Sequence, residues 1–329
     1  MTPARQTADG ERWGAAELRR LVRWIVGLAA IWSLGVLCAA LWWGGDALLH
    51  APIGFQLVGA TAVVFLVNHA LRFVRWHLML RSEGFNVPLG RGLAIFLAGL
   101  ALLPTPAKAG VAVRSVLLLE AGVPVHVSLA AYFVERLLDF VGLVMFASLL
   151  VGTGLAGNRW LLGLAIGIAA LIAIAVAHPI GSAIRPRLAG LPRLARALDW
   201  LLTLLADAAH MLGGWRLPFF VLLGLVANGA TGVLLWIALG AQSGSVDLTQ
   251  ALGILGLAHL SGSITMLPGG IGGFELALTG ALAAAGMSAP VVIAAVAAVR
   301  IVTLWGGVAV GLPLLWLALR RGWAKVAAP

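Results

Sequence analysis

Seven ionisable side chains stand inside otherwise apolar sequence: Lys108, Arg114, Glu135, Arg136, Asp139, Glu275 and Arg300. Guanidinium and ammonium groups beside carboxylates can do two kinds of work there, holding an oxyanion such as phosphate or relaying protons. Arg136 and Asp139 are three apart and Glu135 and Asp139 four apart, so one helix face presents two acids and a base. Such a set either locks the helix as an ion pair or carries protons. Arg300 has no acid within four positions of its own helix, so its partner must come from elsewhere, with Glu275 and Glu135 as candidates. Lys108 and Arg114 flank the start of a short helix, a setting suited to phosphate, though either could snorkel to the membrane surface. His69, His77, His126 and His259 lack metal-ligand spacing and read as packing or interfacial residues. Neither a Ser/His/Asp set nor paired cysteines argue for an enzyme; no metal or cofactor is expected.

These groups are arranged around Met266-Leu-Pro-Gly-Gly-Ile-Gly-Gly-Phe-Glu275. Proline removes a backbone donor and glycine costs roughly 1 kcal/mol in a helix interior, so no helix runs through it. Within lipid a broken helix is tolerated only where protein buries it or a polar cavity lies beside it. Pro268, Gly269, Gly270, Gly272 and Gly273 let the backbone approach a ligand, and a helix restarting near Phe274 aims free N–H groups at an anion. A close-packed small-residue hairpin without ligand is the other reading.

The elements that position this break are membrane spans. Apolar residues fill 61% of the 329 positions and charged ones 10%, against about 25% charged in soluble domains. The mean hydropathy is +1.03. The fold expected is an all-α polytopic membrane protein, with no long polar segment left for a separate soluble domain. A balance of 22 Lys and Arg against 12 Asp and Glu gathers between spans and reads as topology, not nucleic-acid binding. The single cysteine, Cys38, excludes an intrachain disulfide.

Residues 1–20 form a basic cytoplasmic segment, and 21–319 a single transmembrane domain. Its first span, Leu21 to Trp43, reads as an uncleaved anchor. A second span from Phe55 to Leu78 ends among Arg72, Arg75, Arg81 and Arg91, taken as cytoplasmic charges. Two short apolar runs, Gly92 to Leu103 and Val111 to Leu119, then flank Pro104-Thr-Pro-Ala-Lys-Ala-Gly110. Val125 to Val151 and Trp160 to Ala177 are further spans. The segment 178–215 places Arg193, Arg196, Asp199, Thr203, Asp207 and His210 at spacings of three and four, an amphipathic helix lying on the cytoplasmic surface or packed on the bundle. Leu217 to Leu239 and Pro290 to Leu319 are the remaining spans, and 320–329 is a basic cytoplasmic tail. If both broken segments turn back, 17 of 22 Lys and Arg fall inside, one falls outside and four lie at membrane depth. Six full spans and two opposed re-entrant hairpins are therefore expected, with both termini in the cytoplasm.

The hairpins belong to matching units, 55–151 and 217–319. Asn68 and Trp76 recur as Asn228 and Trp236, Pro106 and Gly110 as Pro268 and Gly272, and Gly122 and Arg136 as Gly286 and Arg300. With opposite orientation these units form an inverted repeat.

Pro106-Ala-Lys-Ala-Gly110 with Arg114, Glu135-Arg-Leu-Leu-Asp139, and Pro268 to Glu275 with Arg300 together resemble the lysylphosphatidylglycerol synthase transmembrane, flippase-like family, in a short form without the soluble synthetase domain. The resemblance runs from about Asn68 to Leu319. It implies a bacterial-type inner-membrane protein that handles lipid headgroups, with membrane lipids as ligands and lipid-biosynthesis enzymes as partners. One departure is that the family's first break commonly reads Pro-Gly-Arg-x-Gly-Glu, where this chain has Ala107, Lys108 and Val111. The expected function is a translocase for an anionic or zwitterionic phospholipid, isoprenoid or glycolipid. A lipid-headgroup-modifying enzyme or subunit is the alternative, and a soluble-solute transporter is third.

Overall fold

A computed structural model describes residues 53–105, 110–150, 192–240, 246–265 and 267–321, with the single helical positions Trp24, Gly27 and Ile31. The expected spans Leu21 to Trp43 and Trp160 to Ala177, the N-terminal segment, Lys108 and the residues after 321 lie outside the described residues. Every regular element described is helical. In chain order these are α1 (Phe55–Ser82), α2 (Leu89–Leu100), α3 (Gly110–Leu119), α4 (Val125–Ala147), α5 (Pro192–Met211), α6 (Arg216–Leu239), α7 (Leu248–Ile264), α8 (Gly273–Ala284), α9 (Ala289–Arg300) and α10 (Gly306–Arg321). A π-helical turn, Ile301–Trp305, joins α9 to α10.

Among the described residues, three stretches are long and apolar enough to cross a membrane: Phe55–Ser82, Arg216–Leu239 and Ala289–Ala318. The 23-residue α4 has the length, but Glu135, Arg136 and Asp139 interrupt its apolar character. The four short apolar helices come as two pairs, α2 with α3 and α7 with α8. At about 1.5 Å per residue none spans the roughly 30 Å of hydrocarbon. Each pair is a helical hairpin. In the first, Gly99 and Gly110 bring α2 and α3 so close that a Cβ on Gly110 would overlap the Gly99 carbonyl oxygen. Each hairpin's second helix ends in the same turn. Gly122 and Gly286 sit at φ 81° and 80°, and the next residue donates to the carbonyl five back, as a Schellman cap does.

The apolar core divides in two. One cluster gathers the C-terminal half of α1 with α2, α3, the start of α4, α5 and the end of α10. The other gathers the N-terminal part of α1 with the end of α6 and α7, α8 and α9. Buried Asn68, Glu135, Asp139 and Asn228 and partly buried Arg72 fall between the two, as a polar belt. α10 lies against α2 at Gly311, where a Cβ would stand 2.5 Å from the Ala101 nitrogen. Of the two placements open for the amphipathic segment, packing on the bundle is what α5 adopts. Its Leu204, Ala208 and Met211 join the first cluster, and two histidine–carboxylate pairs tie it down, His126 with Asp207 and His210 with Glu83.

Arg72 and Arg75 depart from the expected topology. They are not cytoplasmic loop charges: α1 continues past both to Ser82 and they turn inward. The reason is a buried acid, Asp139, within reach of both.

Candidate functional site

Pro268–Gly270 forms a single 3₁₀ turn after α7, followed by a restart of the helix at Gly273. Gly269, Gly270 and Gly272 have φ of 65°, 65° and 91°, values L side chains rarely adopt. Gly270 is also enclosed, since a Cβ there would lie 3.1 Å from the Gly262 carbonyl oxygen. Glu275, on the first turn of α8, accepts from the Gly272 N–H at 2.7 Å, one half of a capping arrangement. Its other oxygen accepts from Arg300 Nε at 2.5 Å. Of the two acids open to Arg300, Glu275 is therefore the partner. The same guanidinium donates to the carbonyls of Gly269 and Gly270, both at 3.2 Å, and lies 4.0 Å above the Phe274 ring. One planar fork thus holds the acid and the broken backbone together.

The first hairpin is tied in the opposite sense. Arg114 on α3 donates to Glu135 on α4 at 3.0 Å, with its guanidinium 4.7 Å from the Phe96 ring. In the second hairpin the acid is on the hairpin and the base on the following helix. Asp139 receives three arginines, Arg72 at 2.5 Å, Arg75 at 2.7 Å and Arg136 at 2.9 Å. Arg72 also donates to the side-chain oxygens of Asn68 and Asn228, both at 2.9 Å. Asn68 in turn donates to the Ala227 carbonyl and Thr231 hydroxyl of α6. Asp139 and Glu135 are thus both engaged in ion pairs, and the face of two acids and a base is resolved between two different partners.

A cavity of about 450 Å³ lies among these groups. Arg72, Arg114, Arg136, Arg300 and Glu135 line it, together with the backbone of Gly110, Gly269 and Gly270. The two described ends of the first break, Thr105 and Gly110, the second break and both repeat-matched arginines therefore open on one space. Asp139, Glu275, Gly272 and Gly273 stand behind the wall, holding the arginines or the turn. Among the described residues no group of three metal-binding side chains occurs.

A family model for the lysylphosphatidylglycerol synthase TM region matches residues 24–311, most of the chain. The chain belongs to that family. No curated protein matches it. Membership in the lysylphosphatidylglycerol synthase TM family makes this a membrane protein tied to lipid biosynthesis or translocation. Of the expected site, Lys108 lies outside the described residues, and Pro268 is described only by its backbone. Sequence reasoning missed Arg72 and Arg75 as site residues. It read His69 and His259 as packing or interfacial residues, and both line the cavity. The one available signal for Arg72 was its place four residues after Asn68, on the same helix face.

Proposed function

We propose that this chain is a lipid translocase of the cytoplasmic membrane, taking a phosphate-bearing headgroup into the central cavity while its tails stay in lipid. The observation that carries this is a cavity lined by four arginines between two helical hairpins too short to span. Buried charges at bilayer depth cost about 2.5–3.5 kcal/mol each on insertion scales and are kept where they serve a pathway. Transport is favoured over group transfer because Glu135, Asp139 and Glu275 are held in ion pairs, which suits locking and headgroup exchange. Membrane lipids are the proposed partners.

On this reading the hairpins are re-entrant, entering from opposite faces of a bundle of six spans, and the two units are an inverted repeat with both termini cytoplasmic. The matching turns at Gly122 and Gly286 support the repeat, as does the shared cavity of Arg136 and Arg300. Trp76 and Trp236 do not share an environment, being 0% and 39% exposed. Moving Arg72 and Arg75 to membrane depth leaves 15 basic residues inside against one outside, so the positive-inside argument holds.

The test is reconstitution into liposomes containing fluorescent phospholipid, followed by bleaching of the outer leaflet with dithionite. The expected result is bleaching beyond the half of the label that starts outside, with no new lipid on chromatography. A plateau at half rejects the translocase, and a new lipid species replaces it with the enzyme reading.

A further inference from the structure

If the cavity is a headgroup site, as proposed above, the charges around it specify how anionic that headgroup is. Among the described residues, five guanidinium groups meet three carboxylates there. Glu135 answers Arg114 and Glu275 answers Arg300, one to one. Asp139 alone answers Arg72, Arg75 and Arg136. Both surplus charges therefore sit at one point, and two of the three arginines there line the cavity.

Nothing else described at the site offsets them. The side-chain oxygens of Asn68 and Asn228 accept from Arg72 but are neutral. His69 and His259, which also line the cavity, each face a backbone carbonyl through Nδ1, at 2.9 and 3.0 Å. A carbonyl only accepts, so each Nδ1 carries its proton; a ring with that proton alone is neutral, and a second would enlarge the surplus. Two uncompensated charges around a buried carboxylate are costly. The missing counter-charge is the ligand's.

We infer that the cavity selects a headgroup carrying two negative charges on one small group, a terminal phosphomonoester, over a singly charged phosphodiester or a zwitterion. A phosphomonoester carries about −1.5 to −2 near neutral pH and presents three acceptor oxygens, enough to engage two guanidinium forks at once. A phosphodiester brings one charge and leaves the other arginine unanswered. Val111 offers a place to test this balance. It lines the cavity on the first turn of α3 and is uncharged, and a carboxylate at that place lowers the surplus from two to one.

The experiment titrates the purified full chain in detergent at pH 8 with short-chain phosphatidic acid, phosphatidylglycerol, phosphatidylcholine and inorganic phosphate, reading binding by calorimetry. Phosphatidic acid should bind at least about tenfold more tightly than phosphatidylglycerol, the scale of one extra charge pair within a nanometre at an effective dielectric near 20. Phosphatidylcholine should bind most weakly. Val111→Glu should erase the preference and Val111→Gln preserve it. Equal affinity of the native chain for phosphatidic acid and phosphatidylglycerol overturns the inference, without recourse to any variant. Inorganic phosphate displacing phosphatidic acid at equal concentration overturns its lipid part and makes free phosphate the ligand. The leaflet assay on the same protein separates the two readings. Selective binding without lipid movement rejects transport and upholds the charge selection, while movement with unselective binding does the reverse.

Discussion

Replacing Arg300 by lysine keeps the charge and removes the fork. The native guanidinium reaches three acceptors at once, the Glu275 carboxylate and the carbonyls of Gly269 and Gly270. An ammonium that stays on Glu275 cannot span to both carbonyls, so two bonds from a charged donor are lost. At about 1.5 kcal/mol each this is ~3 kcal/mol, or about a hundredfold in rate where the loop must hold its shape at the transport barrier. Arg136 gives the contrast. Among the described residues it makes one ion pair, with Asp139, and its side chain is 42% exposed. Lysine preserves most of such a contact and gives up only one bond of the fork toward the headgroup, about 1.5 kcal/mol, so Arg136→Lys should slow transport by no more than about tenfold. Dithionite bleaching of liposomes carrying equal amounts of each variant reads both rates, and melting curves report folding. Native rates in a well-folded Arg300→Lys protein, or a larger loss in Arg136→Lys, would refute the fork as the organiser of the glycine turn.

Gly270→Leu and Gly272→Leu should insert and accumulate yet lose transport, because both positions hold a positive φ; full activity in either would mean the turn merely packs. Asp139→Asn leaves three arginines without their carboxylate. It should destabilise by about 3–5 kcal/mol and melt well below Arg136→Gln, and equal melting temperatures would remove Asp139 as the keystone. Cysteines introduced at Glu120 and Ala289 in a Cys38→Ser background mark the bases of the two hairpins. An impermeant thiol reagent should label the first from the cytoplasm and the second from the periplasm, and labelling from one side alone would end the opposed arrangement.

What the sequence discloses here depends on how local each constraint is. Proline and glycine act on their own backbone, so the break at Pro268 to Gly273 can be read without knowing its surroundings. Arg300 could be narrowed to two partners because its own helix holds no acid nearby. Geometry alone chose Glu275, whose second oxygen is already fixed by the Gly272 N–H. Arg72 and Arg75 were illegible for the opposite reason. An arginine near the end of an apolar helix has the same signature whether it anchors that helix at the surface or turns inward. The deciding contact, Asp139, is 67 positions from Arg72. The place of the histidines was illegible likewise: spacing can exclude a metal site, but it cannot show that His69 and His259 line the space between two hairpins.

The π-helical turn between α9 and α10 divides the final span into two registers. Upstream, Arg300 addresses the glycine turn; downstream, Gly307 and Gly311 lie against α2. A turn bonded i→i+5 holds one residue more than an α-helical turn. Were the same residues wound as uninterrupted α-helix, everything beyond Ile301–Trp305 would therefore be rotated by about 100°, swinging Gly311 off Ala101 while leaving Arg300 in place. The span works like two keys cut on one shaft, and the wide turn between them sets the angle at which each is cut.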